Sequence, residues 1–341
     1  MVEVAERAGG VPGSDPARLV AEVEALGARL ARVREAIGRV IFGQQAVIEQ
    51  SLVTLLSGGH VLLVGVPGLG KTKLVETLGV VLGLDARRVQ FTPDLMPADI
   101  LGSEVLEEDA HGHRSFRFIR GPVFCQLLMA DEINRASPRT QSALLQAMQE
   151  RRVAVGGEIH ALPAPFHVLA TQNPIEQEGT YPLPEAQLDR FLLEIEVSYP
   201  DEAAERAMLI ATTGAQEAPP VQAMTGPELI AAQALIRRIP VGEQVLDAIL
   251  RLVRGARPGT PSGIEAVCRH LAWGPGPRAA QALMLATRAR AVLDGRLAPS
   301  VDDVAALAEP VLRHRMALTF TARADGVRIA DVIETLKGQL G

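Results

Sequence analysis

Aromatic side chains are scarce in this chain of 341 residues: one Trp, two Tyr and eight Phe. That scarcity counts against a platform on which successive bases of a single strand would stack. Cysteine is scarcer still. Cys125 and Cys268 stand far apart and fit no metal-ligand spacing. Cys125 falls in an apolar run and Cys268 in a helical pattern, so both read as free buried thiols in a reducing compartment. No apolar run approaches the roughly eighteen residues of a spanning helix, and the N-terminus, with Glu3 and Glu6, has no apolar signal core. A cytoplasmic protein without membrane insertion is expected. Positive charge is also in deficit: 34 Lys and Arg against 40 Asp and Glu, net -6. That balance argues against a broad nucleic-acid surface, although a local basic channel would not show in the total.

What the chain does have is Gly65-Val-Pro67-Gly68-Leu69-Gly70-Lys71-Thr72, which matches G-x-x-x-x-G-K-[ST]. The run follows His60–Val64, which reads as a buried strand, and precedes helix-compatible sequence through Leu82. Strand, glycine loop and helix together are the setting of a phosphate loop. Gly65, Gly68 and Gly70 let the backbone turn its N–H groups inward as an anion nest, and the helix N-terminus adds its positive end. Lys71 would reach the β- and γ-phosphates of ATP, with the Thr72 hydroxyl on Mg²⁺. Residues 65–72 thus form the expected nucleotide cradle, Pro67 and Leu69 included.

Residues 1–16, with three Gly and two Pro, are expected to be loose. A helical pattern covers 17–38, a break at Val40–Gln44 follows, and a second helix runs over about 45–57. Further strands are expected at 88–91, 126–130, 166–170 and 192–197, with helices between most of them, and this alternation implies a parallel sheet. Two stretches, 103–121 and 151–166, read instead as inserted hairpins. Beyond Tyr199-Pro200 the sequence turns Ala- and Leu-rich with no convincing strand, and Thr225…Glu228 and Ser300…Asp303 are capping boxes. Hence a nucleotide-binding core at 17–199 and a helical domain at 200–341 are expected.

Leu127–Glu132 is an apolar strand ending in two carboxylates. Asp131 would hold Mg²⁺, and Glu132 would orient and deprotonate water. Asn173, in Thr171-Gln-Asn173-Pro174, would position that water, or simply form a turn before proline.

In combination, Gly65–Thr72, Asp131-Glu-Ile-Asn-Arg-Ala136, Gln141–Met148, Thr171–Pro174, Glu185-Ala-Gln-Leu-Asp-Arg-Phe191 and Gly276-Pro-Arg-Ala279 resemble the MoxR family of AAA+ ATPases over residues 30–320. The resemblance implies a five-stranded parallel sheet in the order 5-1-4-3-2, two hairpin inserts and a helical lid. It makes Asn173 sensor 1, Arg190 an arginine finger reaching a neighbour's ATP, and Arg278 sensor 2, facing the γ-phosphate from the lid. From sequence alone, a local salt bridge with Asp189 or Glu185 serves Arg190 equally well, and Arg278 also reads as a solvated helix start. Gly276 stands where the family leads one to expect serine. Ile41, Phe42 and Gly43 resemble the adenine-contacting box, and Arg135 and Arg139 fall near the subunit interface.

The implied activity is ATP hydrolysis in a homo-oligomeric, hexameric ring. That ring would remodel or activate client protein complexes, with metal-cofactor insertion among its tasks and a von Willebrand factor A domain protein as partner. A nucleic-acid motor and a non-hydrolysing nucleotide-gated scaffold are the alternatives. His111 and His113 read as a solvated hairpin tip, Arg313-His314-Arg315 as a solvated helix face, and Phe116 and Phe118 either as hairpin packing or as a partner contact.

Overall fold

The computed structural model describes residues 16–108, 111–176, 178–214 and 219–340; the expected loose segment up to residue 15 lies outside them. The described chain opens with α1 (Pro16–Gly38) and α2 (Gln45–Leu56), then β1 (Val61–Val64), α3 (Lys71–Val81), β2 (Ala86–Gln90) and α4 (Pro97–Leu101). A hairpin of β3 (Gly102–Glu108) and β4 (Arg114–Arg120) precedes β5 (Leu127–Asp131) and α5 (Pro138–Glu150). A second hairpin, β6 (Arg152–Val155) and β7 (Glu158–Ala161), leads to β8 (His167–Gln172), α6 (Glu185–Leu188) and β9 (Leu193–Glu196). Then come α7 (Glu202–Thr212), α8 (Gly226–Arg238), α9 (Glu243–Gly255), α10 (Glu265–Cys268), β10 (Leu271–Trp273), α11 (Pro277–Leu293) and α12 (Val301–Leu312). β11 (Ala317–Leu318), α13 (Phe320–Ala324) and α14 (Ile329–Lys337) complete the described chain.

The parallel sheet has the order β2-β5-β8-β1-β9. Counting only its own strands, that is the expected 5-1-4-3-2. The period of two divides the strands between two cores. Val61, Leu63, Leu127, Met129 and Leu169 face α1, α2 and α3, while Leu62, Leu128, Ala130, Val168 and Ala170 join Leu144, Leu145 and Met148 of α5. Strands covered on both faces read as continuous apolar runs, which is why β1, β5 and β8 were visible in the sequence. The first core continues through Ile236, Leu283 and Val311, so the C-terminal helices share one apolar cluster with the sheet.

Both capping boxes form. Thr225 and Glu228 bond reciprocally at the start of α8, and the Ser300 amide donates to Asp303 at α12. One expectation needs correction: the C-terminal half does contain strand, an antiparallel ribbon of β10 and β11. Its three- and two-residue segments are too short for a period of two to register.

Both inserts are antiparallel hairpins. The register puts Leu106 opposite Phe116 and Glu104 opposite Phe118, all on one face. The two rings differ in setting. Phe118 stacks on His160 of the second hairpin at 4.2 Å and meets Phe124 edge-on at 5.6 Å. Phe116 is 71% exposed.

Candidate nucleotide-binding site

The phosphate loop joins β1 to α3. Gly68 and Gly70 take φ of +85° and +73°, a region that disfavours any side chain. Gly65 is needed for another reason: a Cβ there would come within 2.5 Å of the Val197 carbonyl oxygen. Gly70 caps α3 with no side-chain bond, so the N–H groups of the first turn stay open to an anion. The Lys71 ammonium donates to the Gly65 and Val66 carbonyls. Partial burial lowers its pKa below the ordinary 10.5, and Asp131 and Glu132 act in the opposite direction.

The register of β5 with β8, Ala130 opposite Ala170, sets Asp131 beside Thr171. The Thr171 hydroxyl donates to Asp131 Oδ1 at 2.6 Å and accepts from the Glu132 amide at 2.8 Å. Glu132 stands at φ +54°, a left-handed conformation costly for a residue with a side chain. It turns out of the buried strand, where its Oε2 accepts from Gln90 Nε2 at 2.8 Å. Arg88 grips Asp131 Oδ2 through Nε at 3.1 Å and Nη2 at 2.5 Å. Arg135 bridges Glu132 and Glu176, 3.4 Å from each. Asn173 both turns the chain, its Oδ1 accepting from the Ile175 amide at 3.1 Å, and lines the cavity.

That cavity, about 350 Å³, is lined by Pro67–Lys73, Asp131, Glu132, Thr171 and Asn173. An adjoining one of about 370 Å³ shares residues 67–70 and is walled by Ile41, Phe42, Tyr199 and Met208. A backbone anion cradle, an ammonium, a hydroxyl and two carboxylates beside an apolar slot suit a nucleoside triphosphate with a hard, oxygen-seeking cation. Thr72 and Asp131, the residues expected to hold that cation, both line this cavity. Gly43, expected to touch the nucleotide, does not line the slot. At φ +67°, an added Cβ would meet Ala204 Cβ at 2.1 Å, so its role is to let α7 close over the slot. Gln44 ties this segment to the loop, donating to the Leu69 carbonyl at 3.0 Å.

Arg190 and Arg278 lie elsewhere. They line a separate cleft of about 260 Å³ between α11 and residues 189–192. Arg278 therefore does not face the phosphates of its own chain, contrary to expectation: the first turn of α11 is held at residue 189, with Arg278 3.6 Å from the Asp189 carboxylate. The alternative for Arg190, a local salt bridge with Asp189 or Glu185, does not form among the described residues. Asp189 is taken by Arg315, at 2.7 Å, and the Arg190 guanidinium has no partner among the described residues.

The Arg313–Arg315 run is likewise no solvated face. Arg315 is 3% exposed, and five donor contacts to Asp189, Phe191, Leu192 and Val311 satisfy it. Apolar Val311-Leu312 before the run and Met316 after it were the available signal. Arg88 and Gln90 were missed because a polar edge strand carries no mark of what lies across the sheet.

The family model for ATPases associated with various cellular activities matches residues 60–193, and the AAA lid model matches residues 264–336. The chain is 43% identical to "Chaperone MoxR1" of Mycobacterium tuberculosis, over 91% of this chain and 80% of that one. It is 32% identical to "Protein MoxR" of Paracoccus denitrificans, over 86% and 89%. A crystal structure from Cytophaga hutchinsonii superposes with a TM-score of 0.86 at 36% identity, over 94% of this chain and 97% of that one. With the phosphate loop, the paired carboxylates and the strand order already in place, the chain belongs to the MoxR family of AAA+ ATPases.

Proposed function

We propose that this chain hydrolyses ATP to ADP and phosphate within a hexameric homo-oligomeric ring in the cytoplasm, and that the turnover remodels or activates client protein complexes. The observation that carries this is a division of parts. The phosphate loop, Asp131, Glu132, Thr171 and Asn173 line one cavity, while Arg190 stands unpartnered in another cleft. A guanidinium with no partner among the described residues suits a phosphate brought by a neighbouring subunit. Arg278 lines the same cleft, so the reading extends to both arginines acting across the boundary.

Lys71 pairs with the β- and γ-phosphates. Glu132 takes the proton of the water that attacks the γ-phosphorus, and Asn173 holds that water in line. Thr72 and Asp131 would hold Mg²⁺, which would neutralise phosphate charge there. Hydrolysis shifts the C-terminal helices against the core and moves the hairpins. A von Willebrand factor A domain protein is the partner in this reading, and metal-cofactor insertion is one task it covers.

The test is complementation. Arg190→Ala and Lys71→Ala are each expected to be inactive alone and to regain partial ATPase activity when mixed, since each repairs the other's site across an interface. Mixtures that co-assemble without recovery would rule out action of Arg190 in trans.

A further inference from the structure

Gln141 lies on α5, fully buried, and its amide nitrogen faces three carbonyls. Nε2 donates to Tyr181 at 3.0 Å and to Ile133 and Ala136 at 3.2 Å each. Ile133 and Ala136 bracket the turn that follows Glu132. Tyr181 belongs to the stretch that runs from Asn173 to α6 and Arg190. Both backbone groups of Tyr181 are held from this side, since its amide donates to the Asn134 carbonyl at 2.6 Å. Its side chain is exposed, so the backbone is what these bonds fix. Beside Gln141, the Ser142 hydroxyl accepts from Gln187 Nε2 of α6 at 3.2 Å. At the cavity end of the stretch, Asn173 Nδ2 donates to Glu176 at 3.4 Å, and Arg135 joins Glu176 to Glu132. These bonds carry an unusual burden. An amide has two N–H bonds for three carbonyls. Gln141 Oε1, Asn134 Oδ1 and Gln187 Oε1 are buried without a donor among the described residues. Each such orphan costs about 1–3 kcal/mol, a cost that calls for a role beyond packing.

We propose that Gln141 is a positioning residue for ATP hydrolysis that sets two parts together: the Glu132 turn of its own site, and the stretch that presents Arg190 to the next subunit. The second part rests on the reading of Arg190 as acting across a subunit boundary. Gln141 touches no phosphate, since it lines neither the nucleotide cavity nor the Arg190 cleft. It acts through the carbonyls it holds. Because one amide serves both sides, their settings are interdependent. A Glu132 turn drawn away from Gln141 changes how the shared donor holds Tyr181, and a displaced Tyr181 changes how it holds the turn. The general base that a subunit uses and the arginine that it lends are thereby coupled through α5.

The test is Gln141→Met, which fills much the same space without the donor. The readouts are affinity for a fluorescent ATP analogue, sedimentation velocity with ATP, and steady-state phosphate release by the variant alone and in mixtures. Analogue affinity, assembly and KM are expected to match wild type. The value of kcat should fall about tenfold or more, the scale of a small misplacement of catalytic groups. Mixtures read the two parts separately. Arg190→Ala with Lys71→Ala is the reference, in which activity returns. Gln141→Met should rescue Arg190→Ala poorly, because the Arg190 that it lends is misplaced. Lys71→Ala should rescue Gln141→Met poorly, because the Glu132 of the variant's own site is misplaced. Recovery to the reference level in either mixture overturns the joint setting. So does a wild-type kcat, and so does loss of analogue binding or assembly, which would make Gln141 a residue of the fold. Where Gln141→Met does not fold, Gln141→Asn, one methylene too short to serve all three carbonyls, is judged by the same outcomes. No recovery in the reference mixture overturns the reading of Arg190 instead, and the proposal with it.

Discussion

Replacing Arg315 with Met removes a buried guanidinium while keeping most of its stem. Nε bonds Asp189 at 2.7 Å, and the two terminal nitrogens reach the carbonyls of Leu192 at 3.1 Å, Val311 at 2.6 Å, Phe191 at 2.6 Å and Asp189 at 3.3 Å. Removing one partner of a buried ion pair costs about 3–5 kcal/mol. Each carbonyl stranded without a donor costs about 1–3 kcal/mol by itself. These costs do not add, because the groups share one site, and Phe191 keeps a bond from His314 at 3.1 Å. Asp189 is only half-buried and regains water. The expected loss is therefore about 3–5 kcal/mol, a large part of a typical domain's 5–15 kcal/mol. Urea unfolding of Arg315→Met against wild type measures it. Function should follow the same geometry. Residues 189–192, which carry Arg190, are tied down by Arg315, whereas the nucleotide cavity is lined elsewhere. At a temperature where the variant is folded, it should bind a fluorescent ATP analogue nearly normally and hydrolyse ATP poorly. A stability loss under about 1 kcal/mol would show that water or a local shift replaces these bonds, and the reasoning would fail.

Acid should weaken the fold. Burial lowers the pKa of His60 to about 3, of His167 to about 4 and of His314 well below the ordinary 6.5. Their stabilisation is thus present above 6.5 and lost as pH falls below it. Glu194, raised by burial to about 7, opposes them, since its folded form keeps a proton from 4.5 up to 7. Three protons bound on unfolding less one released leaves about two, or ~2.7 kcal/mol per pH unit between 6.5 and 4.5; equal urea midpoints at pH 7 and pH 5.5 would contradict this. Glu132→Gln should bind ATP yet release phosphate at least ~100-fold more slowly, the scale of a lost general base, and normal turnover would remove Glu132 from that role. Phe116→Ser should leave basal ATPase activity and assembly intact and lower stimulation by a partner, because the ring is exposed at the hairpin. Phe118→Ser should instead destabilise the paired hairpins, since it unstacks His160; equal melting of the two variants would erase the distinction.

Elements whose identity rests on neighbours in sequence were legible without coordinates. The phosphate loop is one continuous segment with glycines at fixed offsets. The strands β1, β5 and β8 announced themselves because burial on both faces demands unbroken apolar runs, and the capping boxes of α8 and α12 are complete within four residues. Asp131 and Glu132 were readable for the same reason, as a buried strand that ends in charge. The β10–β11 ribbon was not legible, being too short for any period.

Partnership across long separations was decided by tertiary structure alone. Asp189 could have paired with Arg190 beside it. It pairs with Arg315, 126 positions away, because a guanidinium buried at the turn after α12 must find an acceptor. Arg190 is left without a partner among the described residues, and Arg278 stands 3.6 Å from the same Asp189 carboxylate. Similarly, Arg88 and Gln90 reach Asp131 and Glu132 only because parallel pairing sets Gln90 opposite Asp131 at the sheet edge. Local sequence thus determined which groups could bind a nucleotide, since backbone turns and strand burial depend on near neighbours. Which charges were committed and which stayed available depended on folding, because an ion pair forms wherever packing brings opposite charges together, whatever their distance along the chain.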